Sequence, residues 1–371
     1  MAEPSERRMR VNDVSTPAVV VDLDVVERNL DRMATYCAAH GLGLRPHTKT
    51  HKMLEVARMQ LERGALGLTV AKVGEAEVMA RTGTCQILVA HPILGEEKVR
   101  RLASVAADVD VLVALDSLEA AEGLASVAQR TGCTFGVLVE FDSGSHRCGV
   151  KAGEECAELG KAISAFKCVQ VRGLMTYFGS VWGDDQQRSE EIAGLSANVE
   201  RAIDAFRRAG LSTAIVSGGS TPAALMSHMI PGITEIRPGT YVFNDLNTFY
   251  QGLCTLDDCA VRVMTTVVST CVPGQVIVDA GSKVFSSDLL SAGPKRGYGR
   301  IMEIEGAALL KLNEEHGFVE ADDYGAFSVG QTLSVIPNHV CTCMNMHDEV
   351  YLSRRGEIIG TWNVAARGKV R

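Results

Sequence analysis

The sequence predicts an α/β fold in which a TIM-like (β/α)8 barrel is followed by an antiparallel β domain. Short β-branched segments alternate with amphipathic helical segments from residue 17 onward, and this alternation stops near residue 250. The rest of the chain consists of short strand-like segments broken by Gly, Pro and Asn. A chain of 371 residues is also long enough for one large barrel and a further domain.

Eight apolar segments predict the barrel strands, because strands that are buried on both faces read as continuous apolar runs. They are PAVVVDLD (17–24), GLGLRPH, LGLTVAK, ILVAHP, DVLVALD, FGVLVEFD, VQVRGLMTYF and TAIVSGG. Helical segments such as DVVERNLDRMATYCAAH (24–40) separate them. This rhythm is typical of a closed parallel barrel. An open doubly wound sheet is the alternative, and the lack of a G-x-G-x-x-G motif after the first strand counts against it.

The change of texture near residue 250 predicts the domain boundary. We expect the barrel to span residues 16–250 and the β domain to span residues 251–371. Segments such as QTLSVIPNH and DEVYLSRRGEIIGTWNV are typical of antiparallel strands. Residues 1–15 lie outside the barrel rhythm, and we expect them to pair with the β domain.

The composition excludes several classes of function. A net charge of −8 argues against general binding of nucleic acid or acidic membranes, which requires a broad basic surface. Eleven cysteines without a C-x-x-C pair, and without an apolar N-terminal leader, favour a reducing cytoplasmic location over a disulfide framework. No apolar run is long enough to predict a membrane-spanning helix.

The stretch LRPHTKTHK (44–52) places five basic side chains in nine positions. Catalytic groups of barrels lie at the carboxyl ends of strands, so Lys49 is expected at the barrel mouth. A lysine there can form a Schiff base with a carbonyl compound or with pyridoxal phosphate. Arg45 and His47 are expected to lie beside it, whereas His51 and Lys52 are expected to begin the next helix, with Lys52 facing solvent. The other interpretation of the stretch is a solvated loop.

Two later loops could bind a phosphate group. VSGGSTPAAL (216–225) and EIRPGTYVFND (235–245) contain glycines after the last predicted strand. Backbone N–H groups that converge in such loops bind phosphate, and barrels commonly bind it in their late loops. Each loop alone could be a plain turn, but two such loops combined with an early lysine are more specific.

Two further strand ends carry candidate site residues. VEFDSGSHRCGV (139–150) places Asp142, His146 and Arg147 after one predicted strand. Arg147 could bind a cofactor ring oxygen or a substrate carboxylate, or it could form a salt bridge at the barrel rim. Tyr177, after the next strand, could act as an acid or base or be an ordinary rim tyrosine.

The segment IPNHVCTCMNMHDEV (336–350) predicts a metal site. If the segment is extended, side chains two residues apart share a face, so His339, Cys341 and Cys343 would point the same way. Imidazole and thiolate suit zinc, and a catalytic zinc keeps one position open. His347 could be a further ligand or could support one. The alternative is a strand with buried cysteines and a structural histidine.

Taken together and in this order, STPAVVVDLD, RPHTKTHK, DSGSHRCGV, GGSTP, RPGTYVFND and PNHVC resemble the D-threonine aldolase and D-serine dehydratase family. The resemblance covers roughly residues 15–367 and implies an alanine-racemase-like fold with pyridoxal 5'-phosphate as cofactor. It implies that Lys49 forms the Schiff base and that His339 and Cys341 bind a divalent metal, with zinc as the first choice and manganese or magnesium as alternatives. The implied phosphate-binding residues are Gly219, Ser220, Thr221, Gly239 and Thr240.

Within this family the metal motif resembles H-x-D in aldolases and H-x-C in dehydratases, so NHVC favours dehydration. Two positions are departures from the dehydratase pattern. Met175 stands where the dehydratase has a tyrosine, and Tyr177 is more similar to the aldolases. Arg237 resembles the alanine racemase arginine that meets the pyridine nitrogen, which implies an unprotonated nitrogen and a weaker electron sink.

The resemblance therefore implies a homodimeric lyase whose partner is a small molecule, a β-hydroxy-D-amino acid. Lys49 would remove the Cα proton while the metal helps the β-hydroxyl leave, which gives a keto acid and ammonia. The aldolase alternative cleaves the Cα–Cβ bond to give glycine and an aldehyde. A racemase would have no use for the metal, and a non-catalytic cofactor carrier would have no use for the β domain.

Overall fold

The computed structural model describes residues 9–179, 181, 185–291, 293 and 297–371. Within these ranges no helix is both long and apolar enough to cross a membrane. None of the eleven cysteines forms a disulfide, as expected for a chain that lacks a disulfide framework.

The described residues form strands of two to nine residues. In chain order these strands are β1 (Ala18–Asp22), β2 (Gly43–Leu44), β3 (Leu68–Val70), β4 (Gln86–Val89), β5 (Asp110–Leu115), β6 (Phe135–Asp142), β7 (Val150–Lys151), β8 (Val169–Met175), β9 (Ile215–Gly218), β10 (Glu235–Ile236), β11 (Val261–Ser269), β12 (Val276–Val278), β13 (Gly299–Ile301), β14 (Ala308–Leu312), β15 (Gly317–Glu320), β16 (Thr332–Pro337), β17 (Glu349–Arg354) and β18 (Glu357–Asn363).

Helices separate most of the strands in the first part of the chain and are short in the rest. They are α1 (Leu23–Ala39), α2 (Leu54–Glu62), α3 (Val73–Met79), α4 (Glu96–Val105), α5 (Leu118–Thr131), α6 (Glu154–Ser164), α7 (Asp185–Arg208), α8 (Leu246–Tyr250), α9 (Ser282–Phe285) and α10 (Val340–Met344).

The first sheet is parallel, with the strand order β2-β10-β9-β8-β6-β5-β4-β3, and β7 pairs with β6 beside this order. The sheet curls so that its two end strands also meet. Three backbone hydrogen bonds join them, from Leu66 N to Leu44 O (2.8 Å), from Thr69 N to Pro46 O (2.9 Å) and from Thr48 N to Thr69 O (2.9 Å). The predicted parallel α/β architecture is confirmed.

The interior of the parallel sheet is filled by apolar side chains. Leu88, Leu112, Ala114, Leu138 and Met175, from four different strands, form one buried cluster. Every residue of β5 after Asp110 is buried, as expected for a strand covered on both faces. The polar candidate site residues lie beyond this apolar interior, after the carboxyl ends of the strands.

The strand composition of the parallel sheet differs from the prediction at two places. The segment 17–24 was expected to be a barrel strand, but β1 pairs with β11 and β17 in the other sheet. The prediction was wrong because β1 is buried on both faces, so its apolar run looks the same as a barrel strand. The eighth parallel strand is β10, which is only two residues long and includes Glu235, so no apolar run predicted it.

The second sheet is mainly antiparallel, with the strand order β12-β15-β14-β13-β16-β11-β1-β17-β18. β12 also pairs with β11, and β1 runs parallel to β17. The predicted antiparallel β architecture after residue 250 is therefore confirmed, with β1 as an additional strand. At the start of the described chain, Arg10 forms an isolated bridge with Glu357 of β18, and the pairing of residues 1–15 with the β domain stays a prediction.

The described chain divides into two compact units, each made of several separate sequence segments. The unit with the antiparallel sheet comprises the described residues as far as Leu30, with Thr50–Met53 and Thr240–Gly368, and the unit with the parallel sheet comprises Asp31–Lys49, Leu54–Gly239 and Lys369–Arg371. From the sequence we expected residues 16–250 to form the barrel and residues 251–371, with 1–15, to form the β domain, and these bounds stay a prediction. Short segments such as Thr50–Met53 carry no compositional sign of the unit to which they belong.

Candidate active site

Several predicted site residues follow strands of the parallel sheet. The carboxyl ends of these strands all lie at one edge of the sheet. Lys49 comes after β2, Arg147 after β6 and Tyr177 after β8, while the two glycine loops follow β9 and β10. In the sheet, β10 lies between β2 and β9. The topology therefore gives three neighbouring strands a lysine and two glycine loops at the same edge.

Lys49 lies where the backbone hydrogen bonds beyond β2 end. His47 N donates to Pro238 O and Thr48 N donates to Thr69 O, both at 2.9 Å. Lys49 N donates to His47 Nδ1 at 3.3 Å. The Lys49 side chain is exposed and, in the part of the chain that the structure describes, forms no ion pair with a carboxylate. A fixed backbone with an exposed, unpaired amine suits a lysine that must attack a carbonyl carbon.

The other basic residues of the stretch are more buried than predicted. Lys52 was expected to face solvent, but it is buried and its Nζ donates to Asn345 Oδ1 at 2.8 Å. His51 is also buried, and both residues precede α2 instead of beginning it. Arg45 is buried as well and is paired with Glu235. The prediction failed because a sequence rich in charge does not reveal which charges have buried partners.

The two glycine loops are tied to each other. Gly219 has φ +95°, a conformation that favours glycine, and an added Cβ would lie 3.1 Å from Ile236 Cβ and 3.3 Å from Arg237 N. Gly239 N donates to Thr221 Oγ1 at 3.2 Å, which connects the loop after β10 to the loop after β9. The resulting close approach of two backbones is typical of phosphate-binding loops.

The remaining loop residues named in the prediction have other hydrogen bonds. Ser220 Oγ donates to Gly179 O at 2.8 Å and accepts from Ala223 N at 3.3 Å, so its hydroxyl shapes the loop. Thr240 belongs to the compact unit with the antiparallel sheet, where its Oγ1 lies 3.6 Å from Cys341 Sγ.

Arg237 lies next to the glycine loops, and both Nη atoms of its guanidinium are hydrogen-bonded. Its Nη1 donates to Ser217 Oγ (2.7 Å) and to Gly218 O (3.2 Å), and its Nη2 donates to Thr176 O (2.8 Å). Desolvation lowers the pKa of Arg237 to about 10, despite the opposing charge of Glu235. The guanidinium therefore stays charged at neutral pH and supplies a fixed positive charge next to the loops.

Glu140 is a buried acid that the sequence analysis missed. It lies on β6 two residues after Leu138, so it shares the interior face of that strand with the apolar cluster. Its side chain is buried, and desolvation raises the pKa of Glu140 to about 7, although Arg237 acts in the opposite direction. An acidic residue inside the apolar run FGVLVEF was the signal that could have identified it.

Arg147 and Tyr177 contact each other at the same edge. The Arg147 guanidinium carbon lies 4.6 Å from the centroid of the Tyr177 ring, a cation–π arrangement. Before them, Asp142 organises the loop by accepting hydrogen bonds from Gly144 N (2.9 Å) and His146 N (3.0 Å). Burial opposes ionisation, but these N–H groups lower the pKa of Asp142. Asp142 and His146 thus shape the loop that carries Arg147.

The predicted metal motif is not extended. His339 precedes the short helix α10, which contains Cys341 and Cys343, so the expectation that all three side chains share one strand face is wrong. Cys343 is fully buried and its thiol donates to Val284 O at 3.3 Å. His347 Nε2 lies 3.0 Å from the same carbonyl. The helix therefore directs Cys343 and His347 to a common carbonyl oxygen and leaves His339 and Cys341 as the adjacent pair.

His339 and Cys341 form an imidazole–thiol pair supported by hydroxyl and carboxylate groups. Asp288 Oδ2 lies 2.8 Å from His339 Nδ1, and Thr50 Oγ1 lies 3.1 Å from Cys341 Sγ. Burial disfavours the charged imidazole, but the Cys341 side chain, with Asp245 and Asp288, raises the pKa of His339 to about 10. Among the described residues, no group of three His, Cys, Asp or Glu side chains could hold a metal.

Two family models together match most of the chain. The model of the alanine racemase N-terminal domain matches residues 21–246. The model of a serine dehydratase domain matches residues 260–353. The first match covers the parallel sheet and the second covers most of the antiparallel sheet.

The chain is also similar over nearly its full length to characterised enzymes. It is 32% identical to a 3-hydroxy-D-aspartate aldolase of Paracoccus denitrificans, with 99% of this chain and 95% of that protein aligned. It is 35% identical to a D-threo-3-hydroxyaspartate dehydratase of a Delftia species, with 88% and 91% aligned. Both names are those of lyases.

Solved structures agree with these matches. A D-threonine aldolase from Filomicrobium marinum has a TM-score of 0.91, 31% identity and full coverage of both chains. A Cys→Ala variant of a D-threo-3-hydroxyaspartate dehydratase, in its metal-free form, has a TM-score of 0.87, 32% identity and coverage of 95% and 98%. A His→Ala variant of a D-threo-3-hydroxyaspartate dehydratase, numbered two positions earlier, was also solved. The fold is therefore alanine-racemase-like, and the resemblance inferred from the sequence motifs is confirmed.

Proposed function

Because this chain belongs to the alanine racemase N-terminal domain family, we propose that it is a pyridoxal-phosphate-dependent lyase that dehydrates β-hydroxy-D-amino acids. The observation that carries the proposal is the set of groups that follow three neighbouring strands of the parallel sheet. An unpaired lysine follows β2, and two tethered glycine loops follow β10 and β9. A lysine amine and a phosphate-binding edge are the two attachments that pyridoxal phosphate requires.

The residues at the edge of the parallel sheet fit the cofactor. Gly219 has φ +95° and lies in close contact with Ile236 and Arg237, a position that favours glycine in the loop. We assign phosphate binding to Gly219, Ser220, Thr221, Gly239 and Thr240. Lys49 would hold the aldehyde carbon, with Arg147 and Tyr177 beside the ring. Bound there, pyridoxal phosphate supplies an electron sink for the charge that is left on the substrate Cα.

The imidazole–thiol pair fits a divalent metal. Asp288 accepts the Nδ1 proton of His339, which leaves Nε2 as the ligand atom, and metal-bound histidines are commonly oriented in this way. A thiolate favours zinc over magnesium, so zinc is our first choice, followed by manganese. With two protein ligands, open positions remain for water or a substrate hydroxyl, toward which the metal supplies Lewis acidity.

The residues of this chain have separate tasks in the proposed reaction. The free amine of Lys49 takes the Cα proton onto Nζ. Tyr177 is the further candidate acid or base through its Oη, and the overlying Arg147 guanidinium keeps its ring in place. Arg237 remains charged and hydrogen-bonded. It would therefore favour an unprotonated pyridine nitrogen in a cofactor ring that faces it. The products are a keto acid and ammonia after loss of the β-hydroxyl and hydrolysis.

Dehydration is favoured over aldol cleavage by the H-x-C spacing of His339 and Cys341. The solved variants of D-threo-3-hydroxyaspartate dehydratase replace a histidine and a cysteine at the same spacing, and the Cys→Ala variant was solved without metal. The second candidate is retro-aldol cleavage to glycine and an aldehyde. It is favoured by the likeness to the Filomicrobium marinum D-threonine aldolase over the whole chain. Both reactions use the same substrate class, cofactor and metal.

The test is a product assay with purified protein, pyridoxal phosphate and zinc. D-Serine, D-threonine and 3-hydroxy-D-aspartate are supplied separately, and ammonia, keto acid, glycine, aldehyde and enantiomer composition are measured. Keto acid with ammonia supports the proposal, and glycine with aldehyde supports the second candidate. Enantiomer mixing alone would identify a racemase, and absence of any product from all three substrates would contradict the proposed lyase. We propose a cytoplasmic homodimer as the active form.

A further inference from the structure

The two candidate metal ligands lie at the start of the short helix α10. His339 is the N-cap residue of this helix, and Cys341 is its second residue. The first N–H groups of a helix have no partner inside the helix, and the N-cap side chain usually accepts a hydrogen bond from one of them. His339 makes no such bond, and its Nδ1 lies 2.8 Å from Asp288 Oδ2 instead. The start of α10 therefore needs an acceptor from another part of the fold.

Asp245 supplies that acceptor. Its Oδ2 accepts a hydrogen bond from Val340 N at 3.0 Å, and Val340 stands between His339 and Cys341 in the chain. Its Oδ1 accepts from Thr248 N at 3.0 Å, so Asp245 is also the N-cap of α8. One completely buried carboxylate thus caps the starts of two helices.

Asn247 of α8 holds the chain on the other side of His339. Asn338 O accepts from Asn247 N at 3.2 Å and from Asn247 Nδ2 at 2.9 Å. The amide oxygen of Asn247 accepts from Ser291 N at 2.7 Å, which fixes the orientation of that side chain. The backbone is therefore held immediately before and immediately after His339, in both cases by residues at the start of α8.

The segment that carries the two ligands has little stability of its own. α10 is five residues long, and helices of this length do not form in water without tertiary contacts. A metal that binds to mobile ligands must first order them, which costs binding free energy. Ligands that are already held by hydrogen bonds to their surroundings bind the metal more tightly.

We propose that Asp245 is a positioning residue for the metal, because it holds His339 and Cys341 in the arrangement that binds a divalent cation. Asn247 assists it from the other side of His339. In this role Asp245 acts through the backbone of Val340 and is not itself a ligand. This inference rests on the proposed function, because it concerns the metal pair assigned there.

The test is the zinc affinity of the folded protein, measured by competition against a chelator of known affinity. We expect Asp245→Asn, which retains one acceptor oxygen, to weaken zinc binding by roughly fivefold. We expect Asp245→Ala, which retains none, to weaken it by roughly 10–100-fold. Asn247→Ala removes only the side-chain bonds of that residue and should weaken zinc binding by roughly threefold. In the cobalt-substituted protein, the thiolate-to-cobalt absorbance of Cys341 should shift in the Asp245 variants.

Asp279→Asn is the matched control for a general loss of stability. Asp279 lies in the same compact unit and accepts from Thr266 N at 2.8 Å and from Thr265 Oγ1 at 2.6 Å. These hydrogen bonds resemble those of Asp245, but their donors belong to neither α8 nor α10. We expect Asp279→Asn to lower the free energy of unfolding in urea and to keep the zinc affinity and the cobalt spectrum of the wild-type protein.

The possible failures are distinguishable. Zinc affinity that is the same in the wild-type protein and in the Asp245 variants overturns the positioning role and leaves the metal site and the lyase intact. An equal loss of affinity in Asp279→Asn also overturns it, because the loss then follows general stability. If Asp245→Ala does not fold, Asp245→Asn and Asn247→Ala decide between these results. Wild-type protein that binds no zinc overturns the metal pair of the proposed function, and the inference with it.

Discussion

Arg45, which directly follows β2, and Glu235 of the neighbouring strand β10 form a bidentate ion pair inside the curled parallel sheet. Arg45 Nε lies 2.8 Å from Glu235 Oε1, and Arg45 Nη2 lies 2.7 Å from Oε2. Both side chains are only 2% exposed. Ser217 Oγ donates to Glu235 Oε1 at 2.6 Å and accepts from Arg237, so this pair anchors the network next to the glycine loops.

We predict that Glu235→Gln destabilises the protein by about 3–5 kcal/mol, because it leaves a buried arginine without its counter-charge. The measurement is urea unfolding. Glu77→Gln is the control, since Glu77 pairs with Arg101 at the surface and its loss costs about 0–1 kcal/mol. If both variants lose the same stability, the buried pair does not have the structural role assigned here.

We predict that Glu140→Gln stabilises the protein at higher pH. Desolvation raises the pKa of Glu140 from 4.5 to about 7, so the folded protein holds a proton there that the unfolded chain has released. Stability of the wild-type protein therefore falls between about pH 4.5 and 7, relative to a glutamine that cannot ionise. The variant should gain about 3 kcal/mol over wild type at about pH 8 and little at about pH 4. A difference in unfolding free energy that does not change with pH would contradict this.

We predict that the metal is lost on substitution of either ligand. His339→Ala and Cys341→Ala should each lower bound zinc to near background after dialysis, as measured by elemental mass spectrometry. Cys343→Ala is the matched control from the same helix and should retain zinc, because the Cys343 thiol is directed to Val284 O. Retention of zinc by Cys341→Ala would remove that residue from the site.

We predict that Asp288→Asn weakens zinc binding by about 10–100-fold without abolishing it. Asp288 accepts the Nδ1 proton of His339, and loss of such a partner reduces the basicity and orientation of the ligand. Competition against a chelator of known affinity measures the change. Asp348→Asn is the control, because Asp348 is paired with Arg367 at the surface. Equal affinity of the Asp288 variant and wild type would show that the contact does not orient His339.

The fold was predictable wherever burial is uniform along a strand. Apolar runs identified the strands of the parallel sheet except β7 and β10, which are two residues long, and Glu235 of β10 is buried with Arg45 as its counter-charge. The same signal misassigned β1, since a central antiparallel strand is as apolar as a parallel one. A single sequence does not show which strand pairs with which, so pairing had to come from the structure.

The candidate site was predictable where the residue type itself is suited to react or to bind a ligand. Lys49, the glycine loops and the His339–Cys341 pair could be selected on that basis, and their roles stay predictions. Glu140 and Asp288 were missed because an acid becomes notable only through burial or through its neighbour. The extended arrangement expected for Cys343 was wrong because a five-residue helix replaces the strand after His339.

Borohydride reduction of the holoenzyme, followed by proteolysis and mass spectrometry of the labelled peptide, shows which lysine binds pyridoxal phosphate. We expect one pyridoxyl group, on Lys49, and none on the Lys49→Ala protein treated in the same way. Reduction that labels another lysine in the wild-type protein, or that labels none, would contradict the assignment of Lys49.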